Sequence, residues 1–394
     1  MKILIVHNRY IQPGGEDAVF GAEVSLLRKN KHKVSIFIED NFKLKKINSL
    51  KIAIETIWSK NSLTEIQKLI KKEKPNVVHF HNTFLRISPS AYYACKDAGV
   101  PVVQTLHNYR LICPGALLFR KGRVCEQCVG KAIPWPGVLH GCWRNSRAGT
   151  ALVATMLVVH RLLKTWTEKV NIYIALTEFA RKKFIEGGLP AEKIVVKPNF
   201  VEPDPGVKDC KVGDYVLFVG RLSQEKGLFT LLKAWKLVKN IPLKIVGDGS
   251  LRESLENFVN CANLNGKVEF LGRCSRKEVI QLMHKARFLV FPSEWYECFP
   301  MTIAEAFACG LPVVASRLGA MAEIIENGRT GLHFNTGDPE DLATKVEWAW
   351  THPQEIAEMG CEARREYEAK YTAERNYEIL MEIYRKAIER CRTF

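Results

Sequence analysis

The stretch YVLFVGRLSQEKGLFTLLKAWKLVKNIPLKIVGDGS, residues 215–250, decides the fold. YVLFVG is an apolar run of strand length. A glycine-bounded loop, RLSQEKG, follows it. GLFTLLKAWKLVK has helical spacing, and PLKIVGDGS is a second strand ending in a turn. Strand, loop, helix and strand in that order form one unit of a parallel sheet. KVEFLG, SRKEVIQLMHKA, FLVFPS, MTIAEAFACG, PVVAS and MAEIIENG continue the alternation.

A similar series already stands upstream. KILIVH, KVSIFI, NVVHFH, PVVQTLH and NIYIALT read as strands, and EDAVFGAEVSLLRKN, SLTEIQKLIKKEK and ARKKFIEGG as helices. The strands are continuously apolar rather than alternating, the mark of a parallel sheet covered on both faces. Two series in 394 residues predict an α/β protein of two doubly wound, Rossmann-like domains. The first domain is expected over 1–197, a linker rich in proline and polar groups over 198–210, and the second domain over 211–374. A helix over about 375–394 is expected to pack back on the first domain. Ligands of such sheets bind beyond the carboxyl ends of the strands, so facing domains predict a central cleft.

Charge is distributed unevenly. Residues 1–210 carry 33 Lys and Arg against 17 Asp and Glu, whereas residues 211–394 carry 25 of each. The whole net charge of +16 therefore lies in the first half. That half either faces something anionic, such as a membrane, a phosphorylated lipid or nucleic acid, or simply keeps the protein in solution. No zinc-finger, helix-turn-helix or aromatic RNA-binding pattern supports nucleic acid as the partner.

MKILIVHNRY at the N-terminus reads as a buried strand, not a signal peptide. No run reaches eighteen apolar residues, so no transmembrane helix is expected. Twelve cysteines in that setting point to reduced thiols and a cytoplasmic protein. ALVATMLVVHRLLKTW, residues 151–166, is apolar with a basic end. It reads either as a core helix or as one lying in a membrane interface, which would make the protein peripheral on the inner face of the membrane.

Three motifs at strand ends carry candidate chemistry. FVGRLSQEKG, residues 218–227, places Arg221 and Lys226 in a loop before a helix, where two cations can neutralise a diphosphate. VGDGS, residues 246–250, offers Gly247 and Gly249 for close approach of a flat base. ECFPMTIAE, residues 297–305, puts Glu297 on a loop and Glu305 in the following helix, with Pro300 expected at the first helical position. The two carboxylates either grip different parts of one long ligand or are surface groups near a helix start.

Taken in order and spacing, FVGRLSQEKG, VGDGS, PSEWYECFPMTIAEAFACGLPVVAS and GLHFNTGDPEDLA resemble the retaining glycosyltransferases of family 4, which have the GT-B fold and a C-terminal domain of the group 1 type. The resemblance covers essentially the whole chain and is strongest from Tyr215 to Leu342. It implies transfer of a sugar from a UDP- or GDP-sugar to a hydroxyl of a glycan or lipid-linked acceptor, with retained anomeric configuration and no catalytic metal. Bacterial surface polysaccharide synthesis is the implied setting. Arg221 and Lys226 would hold the donor phosphates, and Glu305 the ribose hydroxyls. Glu297 would contact the transferred sugar, helped by the backbone N–H groups of Phe299 and Met301. Family members commonly have glycine where this chain has Cys298, a departure that bears on loop geometry and sugar choice. Other enzymes of similar architecture, nucleotide-sugar epimerases and phosphorylases, are the alternative reading. A basic nucleic-acid-binding protein is a more distant one.

In the first half, IQPGGEDAVF, residues 11–20, sets Gly14 and Gly15 ahead of a helix, where backbone can approach a phosphate or sugar. QTLHNYR places His107 after a strand, and the resemblance puts a histidine there beside the transferred sugar. Asn108 and Arg110 are candidate acceptor contacts, while His79 and His81 read as structural or rim residues. Finally, Cys113, Cys125, Cys128 and Cys142, with one C-x2-C pair, suit either a structural zinc or four free thiols.

Overall fold

The computed structural model describes residues 1–10, 14–42, 49–207 and 213–392. The first three residues of the glycine turn (11–13), the end of the expected linker (208–210), the first two residues of the expected second domain (211–212) and the last two residues of the chain lie outside them. The chain forms two compact units. One comprises Met1–Leu118, Cys125–Asn199 and Asn376–Phe394, and the other Phe119–Val124 and Phe200–Arg375.

In the first unit the strands are β1 (Lys2–Arg9), β2 (Lys33–Asp40), β3 (Val77–Asn82), β4 (Val102–Thr105), β7 (Ile172–Ala175) and β8 (Ile194–Val196). They form one sheet in the order β2-β1-β3-β4-β7-β8, all parallel. A short antiparallel hairpin, β5 (Phe119–Arg120) and β6 (Arg123–Val124), interrupts the chain and groups with the second unit. Every residue of β3 is buried, as a central parallel strand requires. Its neighbour pairings include Ile5 with His79 and His79 with Val103, so this histidine lies in the middle of the sheet.

The core of this unit joins Ile3, Ile5, Val77, Val103, Ile172 and Ile174 to Phe20, Val24 and Leu27 of the helix Gly15–Lys29. The helix Ala373–Arg392 adds Leu380, Ile383, Tyr384 and Ala387. That spacing of three, four and seven places the four side chains on one helical face. The C-terminal segment thus helps to cover the sheet of the first unit.

The second unit holds β9 (Val216–Val219), β10 (Leu243–Val246), β11 (Val268–Gly272), β12 (Phe288–Phe291), β13 (Val313–Ser316) and β14 (Gly331–Phe334). Their order is β11-β10-β9-β12-β13-β14, again all parallel. The helix Leu228–Leu237 buries Leu228, Leu231, Leu232 and Trp235 against this sheet's core. Both sheets are parallel, with helices between successive strands, which is the doubly wound α/β architecture expected from the sequence. In each, the strand order reverses once: between β1 and β3 in the first, and between β9 and β12 in the second. Chain leaving the carboxyl ends of strands at such a reversal leads to helices on opposite faces of the sheet, and a crevice forms there.

Candidate active site

In the second unit β9 and β12 are neighbours, with Leu217 opposite Leu289. The loops that leave them therefore run side by side. The first contains a single 3-10 turn, Gln224–Lys226, closed by Gly227 at a φ of 67°. The second runs through Pro292 and Trp295 to Pro300. They are joined by a hydrogen bond from the Glu294 N–H to the Glu225 carbonyl (2.8 Å), and Thr230 of the following helix Leu228–Leu237 donates its hydroxyl to Glu294 (2.6 Å). A Cβ at Gly227 would stand 1.9 Å from the Pro292 carbonyl oxygen, so only glycine fits there.

This approach brings two sequence-predicted residues into contact. Lys226 Nζ lies 2.5 Å from Glu297 Oε1, and the Ser293 hydroxyl donates to the same oxygen at 2.8 Å. Glu297 is buried, at 6% exposure. The ammonium also faces the rings of Phe291 (5.4 Å) and Trp295 (5.6 Å), which favour a cation. Neither aromatic had been singled out from the sequence; Phe291 ends β12 and Trp295 stands two residues before Glu297, which was the available signal.

The glycines at the ends of β9 and β10 have a similar explanation. A Cβ at Gly247 would meet the Gly220 carbonyl oxygen at 1.8 Å, and one at Gly249 the Leu222 carbonyl oxygen at 2.4 Å. The atoms that exclude a side chain at these two positions are thus backbone atoms of the adjacent loop. Arg221, between Gly220 and Leu222, is exposed.

Pro300 stands at the N-cap of the helix Met301–Ala308, one residue before the position expected from the sequence. The difference is harmless, because an N–H at either place has no partner within the helix. Phe299 is buried and packs edge-on against Tyr371, with the ring centroids 5.6 Å apart. Met301 opens the helix, and Gly310 follows its end at a φ of 67°. Glu305 has a different ionic partner from the Lys226–Glu297 pair. Its carboxylate is 3.3 Å from Arg276 Nε; burial raises its pKa, and Arg276 opposes the rise. Arg276, 29 residues earlier in the chain, carried no local signal that it would meet Glu305.

In the first unit Gly14 precedes the helix Gly15–Lys29, and its N–H donates to Asp17 Oδ2 at 2.9 Å. Among the described residues, nothing lies within 4 Å of where a Cβ at Gly14 or Gly15 would stand. The next residue, Glu16, accepts from Asn82 at 2.8 Å and from Asn108 at 3.4 Å. Burial, and then the charge of Asp17, push its pKa from 4.5 to about 8. Asn108, His107 and Arg110 line a pocket with His81, Asn82 and Phe84. Arg110 lies 4.2 Å from the centre of the Phe84 ring. His107 Nε2 is 3.0 Å from His81 Nδ1, and His81 Nε2 is 3.2 Å from Glu23 Oε1. His79 and His81 are both buried, as befits structural residues, yet His81 touches His107 directly.

The four clustered cysteines, Cys113, Cys125, Cys128 and Cys142, are reduced and belong to the first unit. Burial, and then the neighbouring Cys113, push the Cys128 thiol up to about 12; Cys142 and Cys125 add to the rise. Among the described residues, no three of the four sulfurs lie within 4.8 Å of one another.

Glu16 generates a test. Its carboxyl ionises near pH 4.5 in the unfolded chain and near 8 in the folded one, so stability falls as pH rises through that window. Glu16→Gln should therefore raise thermal stability at pH 8, by on the order of 1–3 kcal/mol, and leave it unchanged at pH 4. Melting curves of both proteins at the two pH values check this; an equal difference at both would contradict it.

Comparison with known proteins follows the division into units. Residues 24–205 match the model for Glycosyltransferase Family 4, and residues 211–366 match that for Glycosyl transferases group 1. An uncharacterized glycosyltransferase of Methanocaldococcus jannaschii is 42% identical over 136 residues, 34% of this chain and 38% of that protein. The D-rhamnosyltransferase WbpZ of Pseudomonas aeruginosa is 33% identical over 161 residues, 40% of this chain and 42% of its own. This chain thus spans about two-fifths of the length of these curated relatives. Among solved structures, Anabaena HepE in complex with UDP superposes with a TM-score of 0.70 at 19% identity, covering 97% of this chain and 99% of the other. These matches and the two doubly wound units place the chain in glycosyltransferase family 4, with the GT-B fold.

Proposed function

We propose that this chain moves a sugar from a UDP- or GDP-sugar to a hydroxyl of a glycan or lipid-linked acceptor, retaining anomeric configuration and using no catalytic metal, in the synthesis of a surface polysaccharide. The observation that carries this reading is the position of Lys226. It lies on the loop leaving β9, beside the loop leaving β12, where the strand order reverses. Its ammonium is partly shielded from solvent and held by Glu297. A diphosphate brought to this loop receives charge-assisted hydrogen bonds from Lys226 and Arg221 and faces the open N–H groups of the helix Met301–Ala308.

In the reaction the bond from the anomeric carbon to the diphosphate oxygen breaks, and its electron pair leaves with the phosphate. Lys226 and Arg221 stabilise that developing charge. The acceptor oxygen bonds to the anomeric carbon on the face just vacated, and its proton passes to the departing phosphate oxygen. Glu297 orients the sugar and stabilises positive charge on the ring without becoming covalently attached, unlike the nucleophile of a retaining hydrolase. Glu305 holds the ribose hydroxyls. Gly247 and Gly249 keep their loop packed against the loop leaving β9, and the base lies against their backbone; the backbone N–H groups of Phe299 and Met301 support the sugar. In the first unit Gly14 and Gly15 leave space near the phosphates, and His107 contacts the transferred sugar.

Two further parts belong to this reading. The first is a structural zinc on Cys113, Cys125, Cys128 and Cys142. The stretch between the first and last of these holds only a hairpin of two-residue strands and a six-residue helix, so a tetrahedral ion would supply cross-links that a core does not. Binding would draw the sulfurs closer together than they now stand. The second is an anionic membrane surface as partner. No helix among the described residues is long and apolar enough to cross a membrane. The helix Arg147–Leu162 buries Val153, Ala154, Met156 and Leu157. Its end nevertheless exposes Leu162 at 78% and Leu163 at 47%, and the short helix beside it exposes Trp135 at 56%. Arg161 bonds the carbonyls of Lys131 and Ala132, joining the two segments. Apolar tips among Lys131, Arg161 and Lys164 suit an interface whose phospholipids attract each basic residue by about 1 kcal/mol.

Hydrolysis of a panel of UDP- and GDP-sugars tests the central reading. Lys226→Ala should lower kcat about 100- to 1,000-fold. Glu305→Ala should mainly weaken donor binding, and EDTA should leave the wild type unaffected. Wild-type kinetics in both variants, or activity lost to chelation and restored by magnesium, would refute it. Elemental analysis of tag-free protein should give about one zinc per chain, lost on Cys128→Ser; folded protein free of zinc would reject the metal. In vesicle sedimentation at low salt, phosphatidylserine should pull the protein into the pellet, and Trp135→Ser with Leu162→Ser should release it. Equal recovery in the supernatant with and without anionic lipid would count against the membrane.

A further inference from the structure

A buried charge network in the first unit has no part in the chemistry above. Glu23, on the helix Gly15–Lys29, is 1% exposed. Its Oε2 is 3.2 Å from Lys197 Nζ, which is equally buried and also donates to Asn376 Oδ1 at 3.0 Å. Its Oε1 is 2.9 Å from His79 Nδ1 and 3.2 Å from His81 Nε2. Glu23, His79 and His81 are the one group among the described residues whose ligand atoms come close enough for a metal ion. Lys197 argues against a metal there. Its ammonium already supplies the positive charge, and a divalent cation would meet it as a like charge. Stability does not account for the network either, because an apolar pair of similar volume commonly stabilises a core as well as a buried ion pair does.

The hydrogen-bond directions show what the network does. An ionised carboxylate only accepts, so the nitrogen hydrogen-bonded to Glu23, His81 Nε2, carries a proton. A neutral His81 then has its lone pair on Nδ1. That nitrogen faces His107 Nε2 at 3.0 Å, so Nε2 of His107 must be the donor. The unprotonated nitrogen of His107 is consequently Nδ1. Burial, and then the charge of His79, bring the His81 pKa down to about 4; burial and then His81 hold His107 well below its ordinary range. Burial alone would raise the Glu23 carboxyl, but Lys197, His79 and His81 outweigh it and keep it ionised.

We propose that Glu23 is a positioning residue: acting through His81, it fixes His107 as the Nε2–H tautomer, so that Nδ1 accepts a hydrogen bond from a hydroxyl of the bound sugar. This deepens, and rests on, the placement of His107 beside the transferred sugar. The device is a fixed proton arrangement, with Lys197 neutralising the carboxylate that anchors it.

Long-range proton–nitrogen correlation spectra of protein labelled with nitrogen-15 histidine, at pH 7, read each tautomer directly. Assignment uses His107→Gln and His81→Gln. The proposal expects a neutral His107 protonated at Nε2; protonation at Nδ1, or a doubly protonated ring, overturns it. The kinetic arm uses whichever of UDP-glucose and GDP-mannose is hydrolysed faster. His81→Phe should lower kcat about 10- to 100-fold with KM within about twofold, because the anchor is lost. His81→Gln should retain most activity, since its amide N–H and carbonyl can replace the two ring nitrogens. If His107→Gln is impaired while His81→Phe turns over normally, the relay fails and the role of His107 survives. If His107→Gln itself has wild-type kinetics, the placement of His107 fails, and the wild-type spectrum still decides the tautomer. That spectrum also decides the matter if His81→Phe does not fold.

Discussion

Close approach of backbone to backbone at the strand ends of the second unit is the constraint on which the candidate donor site depends. Gly227 lacks a side chain because the Pro292 carbonyl occupies the space, and Gly247 and Gly249 yield in the same way to Gly220 and Leu222. Three loops are thereby pressed into one layer at the point where the sheet order reverses. A bulkier residue at any of these positions would push the loops apart. Lys226 and Glu297, 71 residues apart in the chain, meet only because that layer is closed.

The resulting pair is well suited to exchange. A lysine left unpaired in a partly buried site would lose solvation without return, so Glu297 holds it in readiness. A diphosphate brings more negative charge than one carboxylate and can compete for the same ammonium. In the account proposed here, Glu297 is then freed toward the sugar, and loss of the leaving group strengthens the contacts that Lys226 makes. The first unit solves a different problem. There the lysine is fully buried and stays paired, and His81 beside its carboxylate is held neutral. One lysine is positioned for a visiting anion, the other for a permanent one.

Much of the fold was legible because central parallel strands are continuously apolar, as VLFV and FLVF show. The strands β8 and β14 were not recognised. Both lie at a sheet edge; β8 is only three residues long, and GLHF of β14 is broken by a glycine and a histidine. The helices Pro339–Thr351 and Pro353–Lys370 were also passed over, although a proline at the start of each was a usable signal. Lys226 and Glu297 were both chosen from the sequence, but their contact was not, since it depends on two loops meeting. Glu305 was chosen without its partner Arg276 for the same reason. Glu23 had a local signal that went unused: it lies beside Val24 between Phe20 and Leu27, an acid on the apolar stripe of its helix. Glu16 had none, because its raised pKa follows from burial beside Asp17 and not from any motif.

The most direct measurement is a crystal structure with an intact nucleotide sugar bound. The account predicts the diphosphate within hydrogen-bonding distance of Lys226 and Arg221, at the N-terminus of the helix Met301–Ala308, with Glu297 turned to the sugar. Phosphates bound away from both cations, or bridged to the protein by a metal ion, would contradict it.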